Sequence, residues 1–250
     1  MAKELTFSIL VCAYGNQAQF SNFLWTAFCQ DYDNYEIVAV DNATPGATIE
    51  NACRACPGKI RKRLNYIFIR PDQKRCRNIT QGINMAAKAA KGKYLVIVAD
   101  SNVLLSFNLL SSIEYLIDES ALVLSSGCND IKISPDGQYD TEYAKLNAVT
   151  IEQTNEKILE EMGWPADPLH LKLVAGKHRF PAPHLNYDCY IVALSRENFL
   201  KFGGYNDEDR SWGEYHQAFV KKMIASLQQR NLIGVRIIHQ YHRVYKNDSI

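Results

Sequence analysis

Apolar positions along the first half of the chain alternate between two periods. Short aliphatic runs at 7–12, 35–41, 64–70, 94–99 and 121–126 read as strands. Between them apolar residues recur at helical spacing, first as Phe20, Phe23, Leu24, Ala27 and Phe28. Ile79, Ile83, Ala86, Ala87 and Ala90 make a second such face, and Leu109, Leu110, Ile113, Leu116 and Ile117 a third. Asn16 stands where a cap for the first of these helices belongs. The alternation predicts an α/β fold, a single domain with a mostly parallel central sheet flanked by helices. The run at 94–99 stops abruptly in Asp100, Ser101 and Asn102. Its length and polar boundaries read as a strand buried on both faces, and open α/β sheets bind ligands just beyond the carboxyl ends of such strands. Oxygen donors clustered at that edge suit a hard divalent cation with phosphate oxygens.

Beyond residue 127 the regularity fades. The stretch 131–139, with Asp136-Gly137 at its middle, predicts a hairpin. The stretch 163–188 carries four prolines, together with Trp164, His170, His178 and His184. A long irregular segment inside a compact domain is often a functional loop. A strand at 190–194 and a short helix at 195–202, stopped by Gly203-Gly204, come next. Phe219, Val220, Met223, Ile224 and Leu227 define a last helix, followed by a strand at 235–238.

Composition narrows the partners more than the fold. A net charge of +1 offers no basis for binding nucleic acid or an anionic membrane. No apolar run reaches the roughly 18 residues of a membrane span. The first fifteen residues, with Glu4 beside Lys3 and Ser8 within the apolar run, read as a strand rather than a signal peptide. Cytoplasmic residence is then the default, with a peripheral membrane contact left open. Seven cysteines, an odd number, suit reduced thiols better than a disulfide framework. Cys53-Arg-Ala-Cys56 has zinc-like spacing but no second pair to complete four ligands, so it reads as structural or incidental. No GxGxxG follows the first strand and no GxxxxGK[ST] occurs, which lowers the dinucleotide and P-loop readings.

Four segments, in order, resemble the GT-A glycosyltransferases, particularly the family-2 enzymes and the bacterial chondroitin-polymerase type. Phe7-Ser-Ile-Leu-Val-Cys-Ala-Tyr14 is similar to the family's opening strand and turn. Gln30-Asp-Tyr with Tyr35-Glu-Ile-Val-Ala-Val-Asp41-Asn-Ala-Thr44 is close to its "Q…YEIIVVDNAS" stretch. Arg77-Asn78, Gly82, Ala90-Lys-Gly92 and Asp100-Ser-Asn102 follow "RN.G…A.G.Y…D.D". Arg196, Gly203-Gly204-Tyr205 and Trp212-Gly213-Glu214 are similar to the acceptor-side "R…GG(F/Y)…WG.ED" pattern, and His239 falls where the family often has a late metal-binding histidine.

The resemblance implies a transferase moving a sugar from a nucleotide sugar, a UDP-sugar first of all, to an acceptor hydroxyl with inversion. It implies a nucleotide-sugar part over 1–102 and an acceptor part over 103–250. Cys12, Ala13 and Tyr14 would flank the uracil, partly through backbone groups, with ordinary strand-end packing as the competing reading. Asp41 would accept from uracil or ribose. A turn-initiating Asx before Thr44 is its alternative. Arg77 would donate to base or phosphate, with Arg75 a close rival. Asp100, Asn102 and His239 would hold Mn²⁺ or Mg²⁺, and Asp100 and Ser101 would lie against the nucleotide.

The sequence departs from the family at two of its acids. Asn102 replaces the second carboxylate, keeping an oxygen ligand and losing a charge. Tyr215 stands where the aspartate of the "ED" pair belongs, so Glu214 becomes the default base; Asp207 and Asp209 are loop acids able to reach the acceptor, with a solvated turn as the competing reading for both. His216 shares an apolar helix face, which favours packing. These departures keep a second class open, a relative that binds nucleotide sugar or glycan without transfer. A nucleotidyltransferase shares the doubly wound architecture, and the missing Gly-rich basic loop after the first strand argues against it.

Overall fold

The computed structural model describes residues 5–56, 58–75, 78–99, 101, 103–125, 129–130, 190–208, 214–232, 235 and 237–239. For Lys59, Ile60, Asn129, Asp130, Ile238 and His239 only the backbone is described. Strands β1 (Phe7–Ala13), β2 (Tyr35–Asp41), β3 (Leu64–Phe68) and β4 (Tyr94–Val98) lie parallel in one sheet. The sheet continues through β6 (Ala121–Ser125), β8 (Ile191–Ser195) and β9 (Gln228–Leu232), in the order β3-β2-β1-β4-β8-β6-β9. Among the described strands of this sheet only β8 runs against its neighbours, β4 and β6, so the sheet is mostly parallel as expected. A small second sheet joins β5 (Val103–Leu105), β10 (Ile237–His239) and β7 (Asn129–Asp130).

Both faces of the large sheet are covered, which is why its inner strands read as continuous apolar runs. Phe7, Ile9 and Val11 of β1 face a core shared with α1 (Gln17–Phe28), α2 (Thr48–Ala55) and α5 (Leu109–Leu116). The alternate residues Leu10 and Cys12 face α4 (Thr80–Ala89), α6 (Arg196–Lys201) and α7 (Glu214–Ile224) on the other side. A four-residue helix, α3 (Gly58–Arg61), precedes β3. No described helix is long and apolar enough to cross a membrane.

Several expectations need correction. Asn16 occupies the N-cap position of α1, but in left-handed conformation and without a side-chain capping bond. Ser195 does cap α6, its hydroxyl accepting from the Asn198 N–H at 3.1 Å. The last helix ends at Ile224, and the polar segment after it forms the edge strand β9. His239 is the last residue of β10 rather than a residue beyond the strand. The helix α2 carries Cys53, with Cys56 at its C-cap, and both thiols are buried. The Cys56 thiol donates to the Ala52 carbonyl at 3.3 Å, so the Cys-x-x-Cys spacing is that of one helix face. The hairpin expected at 131–139 and the loop at 163–188 lie outside the described residues.

Candidate functional site

The chain leaves β1 to build β2 and β3 on one side, then returns through α4 to place β4 on the other. The carboxyl ends of β1 and β4 therefore flank the switch point of the sheet, the crevice where open α/β folds bind ligands. The loops at this edge are stitched to each other. Asn42 N–H donates to the Ala13 carbonyl at 2.9 Å, and Gly15 N–H donates to the Thr44 hydroxyl at 3.1 Å. The Asn42 amide reaches the Asn78 carbonyl at 3.2 Å, tying the β2 loop to the start of α4.

Asp41 ends β2 and is fully buried. Its Oδ1 accepts the Thr44 N–H at 2.8 Å and its Oδ2 accepts the Tyr66 hydroxyl at 3.0 Å. The Asx turn is thus present, with both carboxylate oxygens engaged inside the protein. Burial, and then the Asp41 charge, holds the Tyr66 phenol above its ordinary value. Cys12 and Ala13 are buried as well, so backbone groups are what they can offer a ligand. Cys12 lies directly under Gly82 of α4, where an added Cβ would meet its Sγ at 2.2 Å. Tyr14 is partly exposed and carries the Lys74 ammonium 4.4 Å from its ring centroid. That cation was not foreseen, although Lys74 adjoins the Arg75 and Arg77 weighed from sequence. Gln81 holds the loop bearing it, accepting the Arg75 N–H at 2.8 Å and donating to the Gln73 carbonyl at 2.8 Å.

Ser101 is buried at the end of the β4 segment. Asp100, Asn102 and Arg77 lie outside the described residues. Strand β10 pairs with β5 so that His239 stands opposite Val103, the residue after Asn102, and opposite Asp130 on its other side. Among the described residues no group of three His, Cys, Asp or Glu side chains could hold a metal ion.

Among the described residues, those expected on the acceptor side lie on the face covered by α4, α6 and α7. Glu214 is exposed at the first turn of α7. Tyr205 is buried, stacked on Phe219 at 4.2 Å between centroids, and its hydroxyl meets His216 Nδ1 at 2.8 Å. His216 therefore packs, as its helix face implied. Tyr215, in the position of the family's acid, lies edge-on to Tyr205 at 6.2 Å. Asp207 is half-exposed and accepts the Asn84 amide at 2.5 Å. The same amide donates to the Tyr205 carbonyl at 2.9 Å, while Asn84 Oδ1 accepts the Tyr205 N–H at 3.0 Å. Sequence reasoning passed over Asn84, because nothing in a helical apolar pattern says what one of its polar positions will meet.

The profile of glycosyl transferase family 2 matches residues 8–174, more than half of the chain. A search among curated proteins finds no match. Solved structures share the fold at low identity. The structure of S. aureus TarS 1-349 aligns with a TM-score of 0.61 at 14% identity, over 94% of this chain and 60% of that one. Mannosyltransferase PcManGT from Pyrobaculum calidifontis, in complex with GDP-Man and Mn²⁺, gives 0.57 at 16% identity over 96% and 58%. GalNAc-T7 with UDP, GalNAc and Mn²⁺ gives 0.59 at 13% identity over 96% and 45%. The chain thus spans three-fifths or less of the length of these structures. By the matched profile, and with the fold those structures share, the chain belongs to glycosyl transferase family 2.

Proposed function

We propose that this chain is a metal-dependent glycosyltransferase, moving a sugar from a UDP-sugar to an acceptor hydroxyl with inversion. In this reading residues 1–102 of a single GT-A domain bind the nucleotide sugar and residues 103–250 the acceptor, in a cytoplasmic setting. The observation that carries it is the register of the small sheet. His239 stands opposite Val103, so the backbone brings the late histidine beside the chain segment that holds Asp100 and Asn102. A carboxylate, a carboxamide oxygen and an imidazole fit Mn²⁺ or Mg²⁺ as a donor set, with diphosphate oxygens for the remaining positions. The ion would supply charge stabilisation for the departing diphosphate. TarS has been solved with UDP and with UDP-GlcNAc, and PcManGT and GalNAc-T7 with Mn²⁺, which makes these the ligands to try first.

The acceptor oxygen attacks the anomeric carbon, its proton passes to Glu214 or Asp207, and the bond from that carbon to the diphosphate oxygen breaks to release UDP. Tyr14, Arg77, Ser101 and the backbone of Cys12 and Ala13 would hold the nucleotide. Asp41 would act there as well, and its burial favours a role in shaping the turn that meets the ribose. Calorimetry of the protein with UDP, with and without Mn²⁺, tests the proposal: no binding in either condition by a folded sample would sink it.

Tyr215 favours a second reading, binding without transfer, because the side chain at the usual acid position packs against Tyr205. UDP release from a UDP-sugar by the wild type, lost in Glu214→Gln, would rule that out.

A further inference from the structure

We infer that Asn84 is a positioning residue that holds the Asp207 carboxylate for work on the acceptor hydroxyl, an inference that rests on the glycosyl-transfer reading. The helix of a crossover between parallel strands runs back along the sheet, so the first turn of α4 lies at the carboxyl edge. Asn84 is four residues into that helix, roughly 6 Å along its axis. It therefore sits in the first half of a rigid element that starts at the carboxyl edge of the sheet, 123 residues in sequence from the acid it holds.

An asparagine side chain has two N–H donors and an acceptor oxygen, and both kinds are used here. One donor goes to Asp207 Oδ1 and the other to the Tyr205 carbonyl, while the oxygen takes the Tyr205 N–H. Aspartate would lose both donors, and glutamine is longer by a methylene. Gly204 completes the fit. Its φ is +64°, and a Cβ there would stand 2.4 Å from Asn84 Oδ1 and 2.8 Å from the Phe199 ring. The Gly203 and Gly204 N–H groups also close onto the Leu200 and Phe199 carbonyls at 3.0 and 2.9 Å. Asn206 adds an Asx bond to the Glu208 N–H at 3.0 Å.

The described residues of a short surface loop are thus fixed almost throughout, and the carboxylate this bracing holds is that of Asp207, half-exposed beside the exposed Glu208. A solvated turn needs no such bracing, whereas an acid that must meet a hydroxyl in one orientation does. With Oδ1 held by Asn84, Oδ2 is left to orient the hydroxyl and take its proton.

Exchanging the two partners separates positioning from folding. Asn84→Asp sets two carboxylates against each other. Combining it with Asp207→Asn restores a hydrogen bond of reversed polarity, now from position 207 to position 84. The readouts are UDP release from UDP-N-acetylglucosamine and UDP-glucose with Mn²⁺, UDP affinity, and Tm. Asn84→Asp should lower kcat about 100-fold with UDP affinity unchanged, since misplacing a reacting group by an ångström costs that much. The exchanged pair should regain part of the Tm lost in Asn84→Asp, since only the bond to the Tyr205 carbonyl stays unmade, but not kcat. If Asn84→Asp alone does not fold, the exchanged pair still carries the test. Recovery of kcat together with Tm would reduce Asn84 to a structural brace and overturn the inference. So would unchanged kcat in a folded Asn84→Asp. A wild type that releases no UDP from either donor would instead overturn the glycosyl-transfer reading, and the inference with it.

Discussion

At the carboxyl edge of the sheet, turns are closed by near neighbours in the chain and then tied to the loops of adjacent strands. Asp41 Oδ1 accepts from Thr44, three residues on, and Asn78 Oδ1 takes both the N–H and the hydroxyl of Thr80, two residues on. The loop after α6, besides its local bonds, is held from farther along the chain, by an asparagine of α4 more than a hundred residues earlier and by an aromatic stack onto α7. Strand ends already stand side by side, so turn chemistry and bonds between adjacent loops are enough there, because the sheet fixes where each strand stops. A loop on the helical face has no such frame and borrows its rigidity from distant elements. The first end should therefore tolerate changes in the second, and each can be broken separately.

The largest effect is expected from Asp100→Ala. It removes the carboxylate proposed to meet both metal and nucleotide, so the Mn²⁺-dependent part of UDP affinity should vanish while the fold persists. Calorimetry with and without Mn²⁺ reads this directly, and an affinity like that of the wild type would remove Asp100 from the nucleotide end proposed for this edge of the sheet.

Gly204→Ala should do the converse. A left-handed conformation costs an L-residue about 1–2 kcal/mol. The new Cβ also displaces Asn84 from bonds worth about 1 kcal/mol each. A loss of about 2–4 kcal/mol in urea denaturation is expected, with UDP affinity retained by the folded fraction. Loss of UDP binding in step with stability would show that the two ends are one cooperative unit.

Gly82→Ala probes the nucleotide end with a smaller change. Alanine gains about 1 kcal/mol of helix propensity over glycine. Against this, its Cβ would lie 2.2 Å from Cys12 Sγ and 2.9 Å from Cys12 Cβ, and the second contact cannot be relieved by rotating the thiol. Overpacking costs about 1–3 kcal/mol, so the net change should be destabilising by about 1 kcal/mol, with weaker UDP binding as β1 shifts. Replacing Cys12 by alanine in the same chain should make the two costs less than additive. Strict additivity would mean that α4 and β1 give way elsewhere.

The same contrast explains what could be read along the chain. The inner strands and the faces of α1, α4, α5 and α7 were legible because each element is buried along a regular stripe. β9 was not, since of its five residues only Leu232 is buried and backbone pairing with β6 holds the rest. α2 carried its signal openly in Ile49, Ala52, Cys53 and Cys56, but the cysteine spacing drew attention to metal chemistry instead. The acids at strand ends were found by position, and that position could not tell that Asp41 would be sealed and doubly bonded. Asn84 had no local mark at all, because its role exists only once α4 and the loop after α6 meet.

The buried thiols of α2 give the smallest and most local test of the nucleotide end. Burial above all, with neighbouring anionic groups adding to it for Cys53, pushes Cys53 up to about 12, and burial pushes Cys56 up to about 11. Burial likewise pushes the phenol of Tyr35, at the base of β2, up to about 12. In an unfolded chain a thiol ionises near about 8.5 and a phenol near about 10. Folded values above unfolded ones mean that the folded state binds more protons in between. The stability these groups contribute is therefore complete below about pH 8.5 and lost as pH rises toward their folded values. The thiols act first, at a slope of at most about 1.4 kcal/mol per pH unit for each group, and the phenol follows above about pH 10. Urea midpoints at pH 8 and pH 10 should fall for the wild type and fall less when Cys53 and Cys56 are both replaced by alanine. An unaltered slope in that double variant would detach the alkaline loss from α2, and with it the idea that the helix packed behind Asp41 is a separately addressable part of the site.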